Sequence, residues 1–167
     1  MMSPESLWLR VRECFDADDG SFPTISIVDL TAIEVAALYQ GARTGTELVN
    51  PDASFWDLER REDVRLDEVP NAASLVAERR AAGFAFAVTG LEVHKIRLPN
   101  LGFQIFESVV SVHYQMGPAW GQLQVYGFFL WLKDVVSATK RGRIDLSIEG
   151  PPESGAFLSA WAEFSLD

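Results

Sequence analysis

Hydrophobic and polar residues alternate in several stretches of the chain, and alternation with a period of two is typical of β-strands with one buried face. This alternation predicts strands over residues 8–15, 22–28, 84–98, 103–116 and 143–149. A short acidic segment ending in Gly20 separates the first two strands, and the segment 99–102, which also ends in glycine, separates the next two. Such segments reverse the chain easily, so the pattern predicts two β-hairpins and one further strand.

Other stretches have the periodicity of a helix. In residues 120–137, apolar side chains recur at spacings of three, four and seven, which predicts a helix that is apolar on almost every side. Thr31 and Glu34 have the spacing of a capping box, so another helix is expected to begin there and to end at Gly41. Weaker signals predict helices over residues 54–61, over residues 72–82 after a cap at Asn71, and from Pro151 onward.

The order of these elements indicates the fold class. Hairpins mixed with helices, without regular alternation of strand and helix, favour an α+β fold over a parallel α/β fold. We therefore expect a single α+β domain over residues 1–167, with a largely antiparallel sheet built from two β-hairpins plus one further strand. About four to five helices would pack against this sheet, and a length of 167 residues suits a single core of this kind.

Composition narrows the classes of function. The chain is 48% hydrophobic and carries a net charge of −10, so it is predicted to be a folded, acidic protein whose surface repels nucleic acid. Its longest apolar stretch, residues 125–132, is far shorter than the ~20 residues that span a bilayer. The opening residues lack the basic start of a secretory signal. We expect a cytoplasmic protein that binds neither nucleic acid nor a membrane.

The negative charge is concentrated in the first part of the chain. Residues 1–68 contain fifteen acidic and six basic residues, whereas residues 69–167 contain nine acidic and eight basic residues. Charge of one sign keeps a protein in solution, and it also favours association with a partner of opposite sign. Two interpretations therefore stay open: a charge that only aids solubility, and a negative surface that binds a basic protein.

Sequence motifs for cofactor chemistry are missing. The chain has no phosphate-binding loop, dinucleotide-binding turn, nucleophile elbow or zinc-binding helix motif. The acidic segment 16–20 resembles the start of a calcium loop, but Ser21 and Ile27 stand where that loop needs glycine and glutamate. The single cysteine, Cys14, has no base near it in the sequence and is expected to be structural. We predict neither a metal site nor a bound cofactor.

Histidines and carboxylates in the second predicted hairpin indicate a catalytic alternative. If the reversal at 99–102 contains four residues, His94 lies opposite Glu107 in the sheet, with Glu92, Ser111 and His113 on the same face. A two-residue reversal would instead place Glu107 opposite Glu92. A histidine in contact with a carboxylate can transfer protons near neutral pH. The candidate catalytic residues are His94, Glu107, Glu92 and His113, although polar residues along an exposed sheet face are also a common structural feature.

Phe55 and Trp56 form an aromatic pair inside the acidic region. An exposed tryptophan surrounded by carboxylates is typical of an interface hot spot, whereas a buried pair would fix a long connection to the core. We expect the acidic turn at residues 16–19 and the stretch 57–68 to share one face with Trp56. The candidate partner-binding residues are Asp16, Asp18, Asp19, Trp56, Asp57, Glu59, Glu62 and Asp63.

Three hypotheses of function are compatible with these features. The first is a non-catalytic acidic module that binds a basic protein, such as an inhibitor or an immunity-type protein that neutralises its partner. The second is a small enzyme that uses a histidine–carboxylate pair on a sheet face. The third is a homo-oligomeric structural protein. The size and the negative charge of the chain make the first hypothesis the leading one, and the other two stay open.

Overall fold

A computed structural model describes all residues from 1 to 167, and its largest element is a six-stranded antiparallel sheet. The strands in chain order are β1 (Thr24–Val28), β2 (Glu47–Leu48), β3 (Ser54–Asp57), β4 (Glu62–Arg65), β5 (Phe84–Thr89), β6 (Glu92–Val93), β7 (Ile96–Arg97), β8 (Leu101–Ile105), β9 (Val110–His113) and β10 (Arg143–Asp145). Six of them form the sheet in the order β10-β1-β9-β8-β5-β2. The other four form two small hairpins, β3–β4 and β6–β7.

The fold has five α-helices, two of which pack on one face of the sheet. The five are α1 (Pro4–Val11), α2 (Ala32–Arg43), α3 (Ala72–Ala77), α4 (Gln122–Ser137) and α5 (Ser154–Phe164), with short 3-10 helices at Arg12–Cys14 and Leu66–Glu68. The two that pack on the sheet are α2 and α4: Tyr39 of α2 packs on the ring of Phe86, and Trp131 of α4 packs on the ring of Phe103. On the other face, side chains such as Gln104 stay exposed. The predicted α+β class and the antiparallel sheet are confirmed.

One continuous hydrophobic core lies between the helices and the sheet. Aromatic rings form its centre, and they belong to Phe15, Tyr114, Trp120, Phe128 and Phe157. The rings of Phe15 and Tyr114 stack with their centroids 4.8 Å apart, and the Tyr114 hydroxyl donates a 2.7 Å hydrogen bond to the carbonyl oxygen of Cys14. Alternate residues of the strands point into this core, which explains the period of two in the sequence.

The start of α2 follows the predicted chemistry, but its end does not. The Thr31 hydroxyl accepts a hydrogen bond from the backbone N–H of Glu34, and the Glu34 carboxylate accepts one from the N–H of Thr31. This capping box is confirmed. The helix continues past Gly41, because the next residue, Ala42, is also buried. The chain reverses later, at Gly45, where φ is +74°.

The predicted strand over residues 8–15 is wrong, and the first predicted hairpin is therefore absent. These residues belong to α1 and to the 3-10 helix after it. Ser3 caps α1 with its hydroxyl oxygen, and Pro4 begins the first turn, where the fixed φ of proline favours a helix. The buried residues Leu7 and Val11 are four positions apart, so the helical period matches the burial better than the alternation does.

The predicted helix over residues 54–61 is also wrong. The segment forms β3 and the turn that follows it. Phe55 lies opposite Val64 with both side chains buried, whereas Trp56 lies opposite Asp63 with both side chains exposed. Burial that alternates residue by residue is the pattern of a strand, and pairing with β4 satisfies the backbone groups.

Two long strands predicted in the second half of the chain are interrupted. Residues 84–98 form β5 followed by the hairpin β6–β7, whose turn residues His94 and Lys95 both have positive φ, at 48° and 66°. Residues 103–116 form most of β8 and all of β9, which pair with each other. Neither reversal contains glycine or proline, so the alternation alone predicted continuous strands.

The remaining predicted elements are confirmed, some with shorter bounds. Asn71 caps α3 through its side chain, but α3 ends at Ala77, and β10 ends at Asp145. The two edge strands of the sheet are short: β2 has two residues and β10 has three. No helix has both the length and the apolar character that a membrane-crossing helix needs.

Candidate functional site

The hairpin β3–β4 exposes Trp56 to solvent. Its side chain is 43% exposed, while the neighbouring Phe55 is buried next to the ring of Phe84. Asp63 lies directly opposite Trp56, so a carboxylate stands beside the indole ring. Phe55 thus fixes the connection to the core, and Trp56 is the member of the pair that stays accessible.

Two more large apolar side chains are exposed at a depression that Trp56 adjoins through Ala82. Leu58 (49% exposed) and Phe106 (46% exposed) line the same depression, whose volume is about 450 Å³. Ala82 also lines it, and its backbone N–H donates a 3.0 Å hydrogen bond to the carbonyl oxygen of Trp56. We call the group of Trp56, Leu58, Ala82 and Phe106 the Trp56 surface. Contiguous exposed apolar side chains of this kind are typical of sites of protein contact.

The carboxylates around the Trp56 surface are only partly neutralised. Arg80 forms an ion pair with Glu59 at 3.0 Å. Glu62 and Asp63 are exposed, and no basic side chain lies within ion-pair distance of either. The unpaired carboxylate on the face of Trp56 therefore comes from Asp63, while Glu62 lies opposite Asp57, next to it in the chain and on the other face of the hairpin.

Asp57 has a structural role in the hairpin. Its side chain is nearly buried, and Oδ1 accepts 2.9 Å hydrogen bonds from the backbone N–H groups of Arg60 and Glu59. The hydrogen bond from Arg60, followed by that from Glu59, holds the pKa of the Asp57 carboxyl below its ordinary value. This carboxylate closes the turn of the hairpin, so we do not assign it to a partner.

The acidic turn at residues 16–19 lies away from Trp56. It precedes β1, whereas Trp56 lies beside Ala82, shortly before β5. Strands β1 and β5 run in opposite directions in the sheet, so their starts lie at opposite ends. The exposed side chains of Asp16, Asp18 and Asp19 are therefore not brought onto one face with Trp56, contrary to the expectation.

The predicted pairing of His94 with Glu107 is wrong. Strand β5, rather than the segment around residue 94, pairs with β8, so His94 lies beyond the sheet in the β6–β7 turn. Its Nε2 atom is 3.1 Å from Oδ2 of Asp134 on α4. Glu107 forms an ion pair with Arg79 instead. The register differs because the chain reverses at His94 and Lys95 rather than at residues 99–102, and β6–β7 continues the pairing of β5 with β8 in the same register.

His113 and Ser111 share the open face of the sheet, as their positions in the sequence indicate. The hydroxyl oxygens of Ser111 and Ser26 are 2.9 Å apart, and the imidazole of His113 covers Gly102, where any side chain would collide with the ring. No carboxylate forms a hydrogen bond or an ion pair with His113. The histidine–carboxylate pair expected on this face is therefore not formed.

Because His113 is half-buried, the stability of the folded protein is expected to depend on pH. Burial lowers the pKa of His113 below its ordinary value of 6.5, so the unfolded chain takes up a proton before the folded chain does. The stabilisation that comes from keeping this buried imidazole neutral is complete above pH 6.5. It is lost as the pH falls from 6.5 through the lower pKa of the folded state. We expect the stability of the wild type to fall more steeply than that of His113→Gln in urea titrations at successive pH values. Parallel curves for the two proteins would contradict the prediction.

A large cleft is a site that the sequence did not reveal. It has a volume of about 710 Å³ and lies between α2, the hairpin β6–β7 and α4. His94, Asp134 and Glu92 stand at it, and its apolar lining is formed by Leu38, Ala42, Leu91, Val93, Trp131 and Val135. Because these residues come from three distant segments, no local motif or periodicity points to the cleft.

Cys14 is not placed for nucleophilic chemistry. The side chain is buried, and its thiol is 3.7 Å from the carbonyl oxygen of Glu153. Burial, with smaller contributions from Glu153 and Glu13, raises the pKa of the thiol to about 12. The thiolate that a nucleophilic cysteine needs is therefore scarce at neutral pH.

Neither a metal site nor a match to a known protein assigns a role to these surfaces. No group of three or more His, Cys, Asp or Glu side chains is arranged to hold a metal ion. No protein-family model, curated protein or solved structure matches the chain.

Proposed function

We propose that this chain is a non-catalytic protein-binding module that presents an acidic, aromatic surface to a basic protein, as an inhibitor or an immunity-type protein does. The observation that carries the proposal is the exposed Trp56 beside the unpaired carboxylate of Asp63, with the exposed Glu62 adjoining it at the edge of the hairpin. Tryptophan is strongly enriched among the residues that dominate the binding energy of protein interfaces. An aromatic anchor and uncompensated charge thus occur at one place on the molecule.

The form of the Trp56 surface favours a protein partner. Leu58 and Phe106 border an open depression, so a protruding side chain of a partner could fill it while burying Trp56. The carboxylates of Glu62 and Asp63 would then lie at the margin, where opposite charges attract a partner at a distance. An apolar centre with a charged margin is the usual arrangement of such interfaces.

A second copy of this chain is a poorer occupant than a basic protein. Each copy carries a net charge of −10, so two copies repel each other before they meet. In a symmetric dimer through the Trp56 surface, Glu62 and Asp63 would also approach the same carboxylates of the other copy. The homo-oligomeric hypothesis is therefore disfavoured at this surface.

A parallel affinity capture tests the proposal. Wild-type protein, Trp56→Ala and Phe22→Ala are immobilised and exposed to the same native lysate; Phe22 is an exposed aromatic residue shortly before β1, at the end of the sheet opposite Trp56. We expect a basic protein, identified by mass spectrometry, to be retained by the wild type and by Phe22→Ala, to be lost from Trp56→Ala, and to be released by salt. Equal retention by all three proteins, or retention of acidic proteins alone, would contradict the proposal.

Charge at the margin should act mainly on the rate of association. We expect the double substitution Glu62→Gln with Asp63→Asn to lower the association rate constant with the captured basic protein about threefold to tenfold at low salt, with a smaller change in the dissociation rate. The difference should shrink as salt is added, because a Debye length of about 10 Å at 0.1 M screens exposed charges. Stopped-flow mixing measures both rates.

The matched control for this prediction removes the same charge elsewhere. Asp16→Asn with Asp18→Asn changes two exposed aspartates at the opposite end of the sheet. We expect this variant to associate at nearly the wild-type rate. If it slows association as much as the Glu62 and Asp63 substitutions do, the overall charge of the chain, rather than the Trp56 surface, attracts the partner.

A further inference from the structure

The cleft between α2, the hairpin β6–β7 and α4 has the size of a small-molecule site. Its volume of about 710 Å³ lies within the range of ~300–1,000 Å³ that is usual for ligand pockets. The hairpin that forms one wall is held firmly against α4, because Gly127 of the helix lets Ile96 approach closely. A Cβ atom at Gly127 would lie only 2.8 Å from a methyl carbon of Ile96. The cleft is thus formed by packed elements rather than by a loop.

The inner surface of the cleft is mainly apolar. Leu38 and Ala42 contribute from α2, Val93 from the hairpin, and Trp131 from α4. Gly41 also lines the cleft, and no atom lies within 4 Å of the position that a Cβ atom would occupy there. A ligand with an apolar body can therefore bury that body against aliphatic side chains and the indole ring of Trp131.

The charged groups at the cleft are predominantly acidic. Glu34, Glu92 and Asp134 line it, and no lysine or arginine does. The Glu34 carboxylate already accepts hydrogen bonds from the backbone N–H groups of Thr31 and Lys140. Glu92 and Asp134 are exposed and make no ion pair with a lysine or an arginine. Oδ2 of Asp134 is 3.1 Å from Nε2 of His94, which also lines the cleft. Oδ1 of Asp134 and the carboxylate of Glu92 therefore keep free acceptor capacity beside the apolar hollow.

We propose that this cleft binds a small organic cation, an ammonium group attached to an apolar chain or ring. The apolar body would lie against Leu38, Val93 and Trp131, and the ammonium group would lie near Glu92 and Asp134, where its charge is matched. An anionic ligand of the same shape would be repelled by the same two carboxylates. The cleft shares no residue with the Trp56 surface, and this proposal stands independently of the proposed function.

Three probes with the same body and different head groups test the charge preference. They are phenylbutylamine, phenylbutanol and phenylbutyrate, and each is titrated into the purified full chain by calorimetry and by amide NMR. We expect the amine to bind with a Kd of about 0.1–1 mM, as befits a ligand of this size, and at least about fivefold more tightly than the alcohol. The carboxylate should bind most weakly. Shifted amide signals should map to α2, β6–β7 and α4.

Two variants of the cleft test separately how its charge and its shape contribute to ligand affinity. Glu92→Gln with Asp134→Asn should reduce the affinity for the amine about fivefold and leave the affinity for the alcohol unchanged. Gly41→Leu should fill the cleft and weaken the amine and the alcohol alike, about tenfold or more, and leucine favours a helix over glycine, so the fold should persist. Glu5→Gln, an exposed carboxylate on α1, serves as the matched control and should change nothing.

The outcomes that overturn this proposal are specific. Equal affinity for the amine and the carboxylate would refute the charge preference. Undiminished binding to a folded Gly41→Leu variant, checked by thermal unfolding, would place the probe outside the cleft. NMR shifts confined to other elements would do the same, and the absence of amine binding at millimolar concentration would refute the site itself.

Discussion

Replacement of Phe128 by alanine is expected to lower the free energy of unfolding by about 3–5 kcal/mol. Phe128 lies on α4 with no solvent exposure, and the ring centroids of Phe15, Tyr114 and Trp120 are 5.5–6.1 Å from its own. Removing the ring leaves a cavity between side chains that are themselves held by packing, so the gap cannot close fully. Urea unfolding should show a lower midpoint at an unchanged slope.

Phe22→Ala is the control for this loss. It removes the same ring from a side chain that is 55% exposed, and it should change the free energy of unfolding by less than about 0.5 kcal/mol. Similar losses in the two variants would show that the ring cluster around Phe128 is not the centre of the core.

Replacement of Trp56 by alanine is expected to weaken binding of the basic partner by about 2 kcal/mol or more, which is roughly a 30-fold increase in Kd. The indole ring is the largest exposed side chain of the Trp56 surface, and its truncation removes the apolar centre while Glu62 and Asp63 stay in place. Long-range attraction is thereby preserved, so the loss should come mainly from faster dissociation. Surface plasmon resonance with the captured partner separates the two rates.

A matched substitution elsewhere shows whether this loss is local. Leu123→Ala shortens an apolar side chain on α4 that is 55% exposed, and it should leave both rates close to those of the wild type. Thermal unfolding of Trp56→Ala must show an intact fold. A folded Trp56→Ala variant that dissociates at the wild-type rate would exclude Trp56 as an anchor.

Local chemistry allowed several elements to be predicted from the sequence. The capping box of Thr31 and Glu34 and the cap at Asn71 depend on residues three positions apart, so they are visible without any tertiary information. The same holds for α4, where the apolar spacing persists over more than four turns. These signals were sufficient for the fold class, because hairpins and helices in irregular order already favour α+β.

Elements that depend on tertiary packing were predicted less well. Residues 8–15 alternate in polarity and also place Leu7 and Val11 on one helical face, so both periods fit and only contact with α4 and α5 favours the helix. The β6–β7 reversal uses His94 and Lys95 at positive φ, where glycine or asparagine is the usual signal. Missing that reversal displaced the register of the whole hairpin and produced the wrong pairing of His94.

The two candidate sites differ in how far the sequence could reveal them. Trp56 was identifiable, because a tryptophan among acidic residues is conspicuous along the chain, and β3–β4 exposes it. Its neighbour Phe106 was not identifiable, since nothing local relates residue 106 to residue 56. The cleft that contains His94 joins helices and a hairpin that are remote from one another in the chain. Such a site follows only from the fold.

The short edge strands of the sheet restrict how a partner can be recognised. Strands β2 and β10, with two and three residues, offer few unpaired backbone groups onto which an incoming peptide could be added as another strand. Backbone pairing tolerates almost any sequence, whereas contact through individual side chains does not. Recognition by this chain should therefore discriminate between closely similar partners, and single substitutions at the contact should alter which partner is chosen.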